Sequence, residues 1–183
     1  MAILNDKQIE KIDGMITPFI DHQVEEGTVS YGLSSFGYDV RVGNQFKIFT
    51  NINSNEVDPK DFKRELLEDR KTDDSILIPP NSFALASSVE RFNMPDNVTG
   101  LLFDKSTYRR CGVLTSGTVL EPAWEGWLTI EISNTTPLPV RIYANEGIGQ
   151  VLFMQGGKPN LTYEDKDGKY QGQGDRPEPS RMK

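Results

Sequence analysis

The first twenty residues carry apolar side chains at a spacing typical of a helix. Apolar residues that recur every three or four positions line one side of a helix. Here they are Ile9, Ile12, Met15, Ile16 and Phe19. Asn5 or Asp6 is available as the N-cap, and Pro18 lies near the end. The pattern predicts a short N-terminal helix between Ile3 and Ile20, within residues 1–20.

From Thr28 onward the pattern changes to strands separated by turns. Apolar and polar residues alternate through 28–49, with many β-branched and aromatic side chains, as in half-buried strands. Similar short stretches, separated by Pro, Gly and Asn, follow at 75–97, 100–117, 125–136 and 138–156. Strands at such regular spacing predict a mainly β fold, either a barrel or a jelly roll.

Residues 54–74 form the most highly charged stretch of the chain. Phe62, Leu66 and Leu67 would lie on one side of a single helix that begins near Asp58 and Pro59. The other interpretation is a solvated insertion between two strands, and the dense charge favours it.

The last residues, 157–183, are polar and rich in glycine and proline. One interpretation is a frayed, flexible terminus. The stretch 169–174 nevertheless combines a lysine, a tyrosine and two glutamines among glycines. A mobile tail of this composition is able to close over an anionic ligand as a lid.

Composition narrows the function classes. The chain has 183 residues, which predicts one domain over 1–183, and its formal net charge is −7. Cys111 is its single cysteine and His22 its single histidine. An intrachain disulfide and a zinc site with three His or Cys ligands are therefore excluded. Hydrolytic chemistry would have to use carboxylates, Arg, Lys and hydroxyls, with or without a hard cation.

Charge and hydropathy also indicate where the protein acts. The sequence contains no apolar run long enough to cross a bilayer, and its charged N-terminus does not resemble a signal peptide. We therefore expect a cytoplasmic protein that does not bind membranes. The chain has a net negative charge, and its basic residues form no run longer than a pair such as Arg109-Arg110. Nucleic-acid binders usually carry a basic patch, so these features argue against a nucleic-acid partner.

Residues 104–112 are the strongest candidate for anion binding. Lys105, Arg109 and Arg110 lie close to the hydroxyls of Ser106 and Thr107, directly after an apolar strand. Such residues supply the positive charge and the donors that phosphate oxygens require. Taken alone, the cluster is also compatible with an ordinary polar surface.

Two carboxylates are candidates for acid–base chemistry. Strand alternation places Glu131 with Thr129 and Ser133, on the face opposite Ile130 and Ile132. A partly enclosed carboxylate can transfer protons for an attacking water. Glu121, in a turn before the same strand, is the second candidate. Taken alone, the pattern at each position favours an ordinary solvent-exposed glutamate.

Read together, these segments resemble the dCTP deaminase family of the trimeric dUTPase-like fold. The similar stretches are 34–43, 104–112, 121–136, 145–153 and 169–174, in the family's order and over most of the chain. The resemblance implies a distorted β-barrel or jelly roll that forms a homotrimer with sites between subunits. It also implies zinc-independent deamination of dCTP to dUTP and ammonia.

The resemblance also implies roles for individual residues. Glu131 would be the general acid/base, and Arg110 and Ser106 would position the water or stabilise the developing charge. Glu121 would lie near the sugar and Trp124 under the pocket. The triphosphate would carry Mg²⁺, and dTTP is implied as a feedback inhibitor. The substrate-binding residues would be Lys105, Ser106, Thr107, Tyr108, Arg109, Arg110, Val119, Glu121, Trp124, Thr129, Ile130, Glu131, Gln150, Tyr163, Lys169 and Gln173.

The chain departs from the family pattern at three places. Asp104 stands where the family has glycine, Arg109 replaces a small residue, and the turn at 115–119 reads TSGTV instead of the usual Val-Thr-Ala or Val-Thr-Pro preceded by His or Asn. Alternatives therefore stay open. They are a deaminase of altered cytosine-nucleotide specificity, a dUTP diphosphatase or bifunctional enzyme that uses Glu121, and a nucleotide-binding protein without turnover.

Overall fold

Antiparallel strands make up most of the computed structural model, which describes residues 2–50 and 56–182. The strands are β1 (Ala2–Ile3), β2 (Ile16–Thr17), β3 (Gln23–Val24), β4 (Tyr31–Leu33), β5 (Tyr38–Phe49), β6 (Leu67–Lys71), β7 (Ser75–Ile78), β8 (Phe83–Asn93), β9 (Val98–Asp104), β10 (Val113–Ser116), β11 (Glu125–Asn134), β12 (Val140–Tyr143) and β13 (Gly147–Gln155). The helices are α1 (Asp6–Ile9), α2 (Ser106–Arg109) and a 3₁₀ turn at Arg64–Leu66.

Strand β5 connects the two halves of the main sheet, whose order is β1-β13-β5-β8-β11-β10. Its first residues pair with β13 and its later residues with β8, with an irregularity between Val42 and Phe46. Strand β9 pairs with β13, and β6 extends the sheet beside β5. Strands β7 and β12 form a separate pair. The predicted mainly β, barrel-like fold is confirmed.

Alternation along the strands separates the core from the outer faces. On β11, Leu128, Ile130 and Ile132 are buried, whereas Thr129 and Glu131 are partly exposed. Burial of a large aliphatic side chain contributes about 1.5–3 kcal/mol. The core therefore holds β11 in one register, because a slip by one residue would bring Glu131 into it. The alternation predicted around Glu131 is confirmed.

The N-terminal helix is much shorter than predicted. It covers only Asp6–Ile9, with Asn5 as the N-cap: the Asn5 side chain accepts from the backbone of Gln8. Gly14 then adopts a positive φ of 72°, which ends helical geometry. Ile16 continues in strand β2, which pairs with β8. The helical spacing was thus misleading over 10–20, because tertiary pairing buries those apolar residues in another conformation.

The charged segment does not form the single helix considered for 54–74. Residues 51–55 lie outside the described part of the chain. Beyond them, the Arg64–Leu66 turn buries Leu66 and leads into β6, which pairs with β5. The side chains of Glu68, Asp69 and Arg70 are largely exposed. The segment is therefore a solvated insertion whose end joins the sheet.

The tail packs against the beginning of β11. The Trp124 Nε1–H donates to the Tyr170 carbonyl at 2.8 Å. Backbone hydrogen bonds join Gly172 to Glu125 at 3.0 Å and Trp127 to Gln173 at 3.1 Å. These contacts hold the 170–173 region beside the strand that carries Glu131.

Among the described residues, none of the helices is long and apolar enough to span a membrane.

Candidate active site

A row of cross-strand neighbours crosses one face of the sheet, and Glu131 lies in it. Strand register aligns Ser116, Glu131, Leu85, Lys47 and Asp69 on five adjacent strands. Residues directly opposite each other on paired strands project from the same face. Pairing therefore assembles this row from segments that are far apart in the sequence.

A cavity of about 680 Å³ opens above this face. Its volume is in the range of sites that bind small molecules. It combines carboxylates and hydroxyls with an aromatic and aliphatic wall. The lining residues are Phe49, Phe62, Phe83, Leu85, Gly117, Thr118, Val119, Leu120, Glu121, Trp124, Leu128, Thr129, Glu131, Tyr163, Tyr170, Gln173, Glu178 and Ser180.

The Glu131 carboxylate is held by a hydroxyl from the neighbouring strand. Ser116 Oγ donates to Glu131 Oε2 at 2.9 Å. Ser116 lies directly opposite Glu131, so the bond follows from strand pairing. Buried Ile130 and Ile132 on either side fix the direction of the Glu131 side chain. The site thus presents an oriented carboxylate to the cavity.

Thr129 is the point at which the tail enters the cavity. Its Oγ1 accepts from the Gln173 side-chain amide and from the Glu178 backbone N–H, the latter at 3.2 Å. Gln173 is only 6% exposed. The tail therefore contributes Glu178 to the lining of the cavity, while the Glu178 carboxylate lies 3.3 Å from Arg181 Nη1.

The structure brings several of the predicted site residues together in this cavity. They are Val119, Glu121, Trp124, Thr129, Glu131, Tyr163 and Gln173. Trp124 is buried at the wall, close to its predicted position under the pocket. The two candidate carboxylates, Glu121 and Glu131, share one chamber, although sequence positions alone did not establish that.

The predicted phosphate-binding cluster lies outside the cavity within a single chain. Lys105 precedes α2, and its Nζ is 2.7 Å from Asp39 Oδ2. Arg109 Nη1 is 3.5 Å from Asp104 Oδ2. Ser106 and Arg110 are exposed, and within 2–50 and 56–182 their side chains make no hydrogen bond or ion pair. These cations do not line the chamber that holds Glu131.

Two predicted substrate-binding side chains are buried elsewhere. Tyr108 accepts from the Tyr143 backbone N–H through its hydroxyl at 3.1 Å, and burial raises the pKa of Tyr108 to about 12. Ile130 is fully buried, on the face of β11 opposite Glu131. Because both side chains are buried in the core, only their backbone groups are available to a ligand in this chain.

The remaining predicted residues lie at other surfaces. Gln150 Nε2 donates to Ser34 Oγ at 3.1 Å and to the Phe36 carbonyl at 3.2 Å. Lys169 Nζ lies 5.1 Å from the centre of the Tyr170 ring. Thr107 lines a second, shallower concavity. A single chain therefore does not gather the whole predicted substrate-binding set.

Sequence reasoning missed the aromatic wall of the cavity and the position of Glu178 in its lining. Phe49 and Phe83 have ring centroids 5.1 Å apart, and Phe49 and Phe62 5.9 Å apart. Strand pairing brings Phe49 and Phe83 together, and the irregular segment before the Arg64–Leu66 turn places Phe62 against Phe49. Glu178 belongs to no local motif, and Ser116 lies in the unusual turn at 115–119 without any sequence signal that it faces Glu131. Among the described residues, no group of three or more His, Cys, Asp or Glu side chains is arranged to hold a metal ion.

The sequence and the barrel-like sheet are those of a known class of proteins. The family model described as dCTP deaminase-like matches residues 3–156, so the chain belongs to that family. It is similar to the dCTP deaminase of Erythrobacter litoralis, with 58% identity over 177 residues, 94% of this chain and 96% of the relative. The dCTP deaminase of Campylobacter concisus is 56% identical, over 94% of this chain and 95% of the relative.

A solved structure agrees with the fold. The 2′-deoxycytidine 5′-triphosphate deaminase from Agrobacterium tumefaciens matches with a TM-score of 0.63 and 15% sequence identity. The match covers 84% of this chain and 48% of that chain. At this identity, the likeness concerns the fold.

Proposed function

We propose that the protein hydrolyses dCTP to dUTP and ammonia without zinc. The observation that carries the proposal is the Glu131 carboxylate, which lies in the cavity with one oxygen bonded to Ser116. Membership of the dCTP deaminase-like family and similarity to relatives named dCTP deaminase support this substrate and reaction. The role fits pyrimidine deoxynucleotide metabolism in the cytoplasm.

Glu131 transfers the protons in this reaction. Its free carboxylate oxygen takes a proton from a water molecule, and the oxygen of that water forms a bond to C4 of the cytosine. The protonated Glu131 then returns the proton to the departing nitrogen, and the C4–N bond breaks. Ammonia leaves as the C4 hydroxyl gives its remaining proton to N3 of the base and becomes the carbonyl. A positioned carboxylate is suited to both steps. Ser106 and Arg110 orient the water and stabilise the charge that develops on the base.

Groups around Glu131 hold the nucleoside. Val119, Thr129 and the backbone of Ile130 contact the base, and Glu121 lies near the sugar. Trp124 supports the floor of the pocket, where it is 6% exposed and anchors the tail through Tyr170. Thr129 Oγ1 accepts from Gln173 and from the Glu178 backbone, so its own O–H is available to donate to the base. We assign the tail the role of a lid over the bound substrate.

The triphosphate is bound by groups from more than one chain. We assign its binding to Lys105, Ser106, Thr107, Arg109 and Arg110, together with the backbone at Tyr108 and with Gln150, Tyr163, Lys169 and Gln173. Since the exposed cations of α2 do not line the cavity of their own chain, a second copy supplies them. Mg²⁺ enters with the substrate, held by phosphate oxygens.

An exposed apolar area beside α2 supports assembly into a homotrimer. Phe36 and Phe103 are 53% and 50% exposed. Both lie beside Gln150, since Phe103 is its strand partner and the Phe36 carbonyl is its hydrogen-bond acceptor. Large exposed apolar side chains are typical of subunit interfaces. Burial of this area against a second copy would bring α2 close to a neighbouring cavity.

One further activity has specific support. Glu121 lines the same chamber as Glu131 and is available to activate water against a phosphate. This placement favours dUTP diphosphatase activity as the second candidate, alone or in a bifunctional enzyme. Regulation by dTTP would use the same nucleotide site. The acidic chain is expected to bind neither nucleic acid nor membranes.

The test uses the metal-stripped protein with Mg²⁺ added back. Ammonia and pyrophosphate are followed separately with dCTP, dCMP, 5-substituted dCTPs and dUTP. We expect the wild-type protein to release ammonia from dCTP. We expect the Glu131→Gln variant to bind dCTP but to release no ammonia, because the amide cannot act as a base. Pyrophosphate from dUTP would support the diphosphatase candidate. Binding without turnover of any substrate would refute the proposal in favour of a nucleotide-binding protein.

A further inference from the structure

The three positions at which the chain departs from the family pattern are connected in the structure. Asp104 Oδ1 accepts from the Thr115 backbone N–H at 2.5 Å and from Thr115 Oγ1 at 3.2 Å. Arg109 Nη1 lies 3.5 Å from the other oxygen of Asp104. Thr115 is 4% exposed. Asp104 therefore fastens strand β10 to the segment that leads into α2.

The next residue of β10 is Ser116, whose hydroxyl reaches Glu131 Oε2 at 2.9 Å. Within the described residues, Ser116 is the one hydrogen-bond partner of the Glu131 carboxylate. On the same face of β11, Thr129 Oγ1 accepts from Gln173 and Glu178 of the tail instead of bonding to Glu131. The Ser116 hydroxyl itself is otherwise exposed, with Glu131 as its acceptor.

We propose that Ser116 is a positioning residue for Glu131 and that Asp104 anchors it through Thr115. This inference rests on the proposed role of Glu131 as general acid/base. A hydroxyl bonded to one carboxylate oxygen restricts rotation of the carboxylate and leaves the other oxygen to take the proton from water. Hydrogen bonds to charged groups are stronger than neutral ones. The substituted turn thus supplies an orienting group to the reaction centre.

The decisive comparison is between Ser116→Ala and Ser116→Thr. We expect Ser116→Ala to lower kcat for dCTP roughly 10- to 100-fold, with KM changed less than about twofold, because orientation for proton transfer is lost while substrate contacts remain. Ser116→Thr keeps the hydroxyl on a strand-favouring side chain and should restore most of kcat. The matched control is Ser133→Ala, on the same face of β11 but outside the cavity.

The outcomes separate this inference from the proposed function. If Ser116→Ala keeps the full kcat while Glu131→Gln is inactive, the positioning role of Ser116 is overturned and the proposed role of Glu131 still stands. Activity in Glu131→Gln would overturn the proposed mechanism itself. A rise in KM without a fall in kcat, or failure of threonine to rescue, would also contradict positioning.

The anchoring role of Asp104 is tested by a double-variant cycle. Asp104→Ala should lower kcat, whereas Asp104→Asn keeps an acceptor for Thr115 and should lower it less. In the Ser116→Ala background, Asp104→Ala should have little further effect, since both act through the bond to Glu131. Multiplicative effects would show that Asp104 does not act through Ser116. Thermal unfolding of each variant identifies losses that come only from misfolding.

Discussion

Lys105 Nζ lies 2.7 Å from Asp39 Oδ2, and both side chains are only 10% exposed. Lys105 follows β9 and directly precedes α2, whereas Asp39 lies on β5. The ion pair therefore joins the start of the phosphate-binding cluster to the strand that connects the two halves of the sheet. It fixes the lysine that the proposed function assigns to a phosphate.

Asp39→Ala should destabilise the protein by about 3 kcal/mol, because it leaves the Lys105 ammonium nearly buried without its carboxylate. The measurement is the free energy of unfolding in urea. The double variant Asp39→Ala/Lys105→Met removes both charges and should regain part of the stability while losing affinity for dCTP. If the double variant is no more stable than Asp39→Ala, the buried charge is not the cause.

Glu90 should make the free energy of unfolding fall with rising pH. Glu90 is fully buried, and burial raises its pKa above the ordinary value of 4.5 although Arg41 Nε lies 2.7 Å from Glu90 Oε1. The folded protein thus holds this proton more tightly than the unfolded chain. Stability from Glu90 is complete below the unfolded pKa and decreases as the pH rises through the folded pKa, by about 1.4 kcal/mol per pH unit within that window.

The check is the difference between wild type and Glu90→Gln in urea unfolding from about pH 4 to pH 8. The pKa values of Asp21 and Asp165 are lowered by their hydrogen bonds to His22 and Thr162, so these groups contribute the opposite trend. Because both proteins contain them, their contribution cancels in the difference. Parallel stability curves would show that Glu90 does not titrate differently in the folded state.

Two truncations of the tail should have opposite effects on KM for dCTP. Ending the chain after Gly174 removes the Glu178 backbone N–H that donates to Thr129 Oγ1 in the cavity, so we expect KM to fall by roughly fivefold, the equivalent of one lost competing hydrogen bond. Ending it before Lys169 also removes Gln173 and should raise KM, since the lid is lost. Steady-state kinetics of both proteins provide the test, and equal effects in one direction would contradict it.

Mixing two inactive variants should restore activity if each site combines two chains. Arg110→Ala and Glu131→Gln are each expected to be inactive alone. After the two proteins are unfolded and refolded together, some interfaces pair an intact Arg110 with an intact Glu131, and ammonia release should return. Refolding each variant alone is the control. Absence of recovery, with mixed oligomers present, would place both residues in a site within one chain.

Local sequence pattern predicted the elements whose burial is regular. The alternation around Glu131 placed it correctly opposite Ile130 and Ile132, because one face of β11 packs on the core. The spacing over 3–20 was misleading, because Ile16 is buried by strand pairing with Phe92, far along the chain, and not on the face of a helix. A helical spacing records which residues are buried, and not the conformation in which they are buried.

The sequence by itself determined the strand-rich fold, the exclusion of a three-ligand His/Cys zinc site and the identity of the candidate carboxylates, since these depend on residue type and local alternation. Only the tertiary structure decided that Ser116 lies opposite Glu131, that the Glu178 backbone reaches Thr129, and that the cations of α2 lie outside their own chain's cavity. These relationships depend on strand register and on the path of the chain between distant segments, which local residue patterns do not specify.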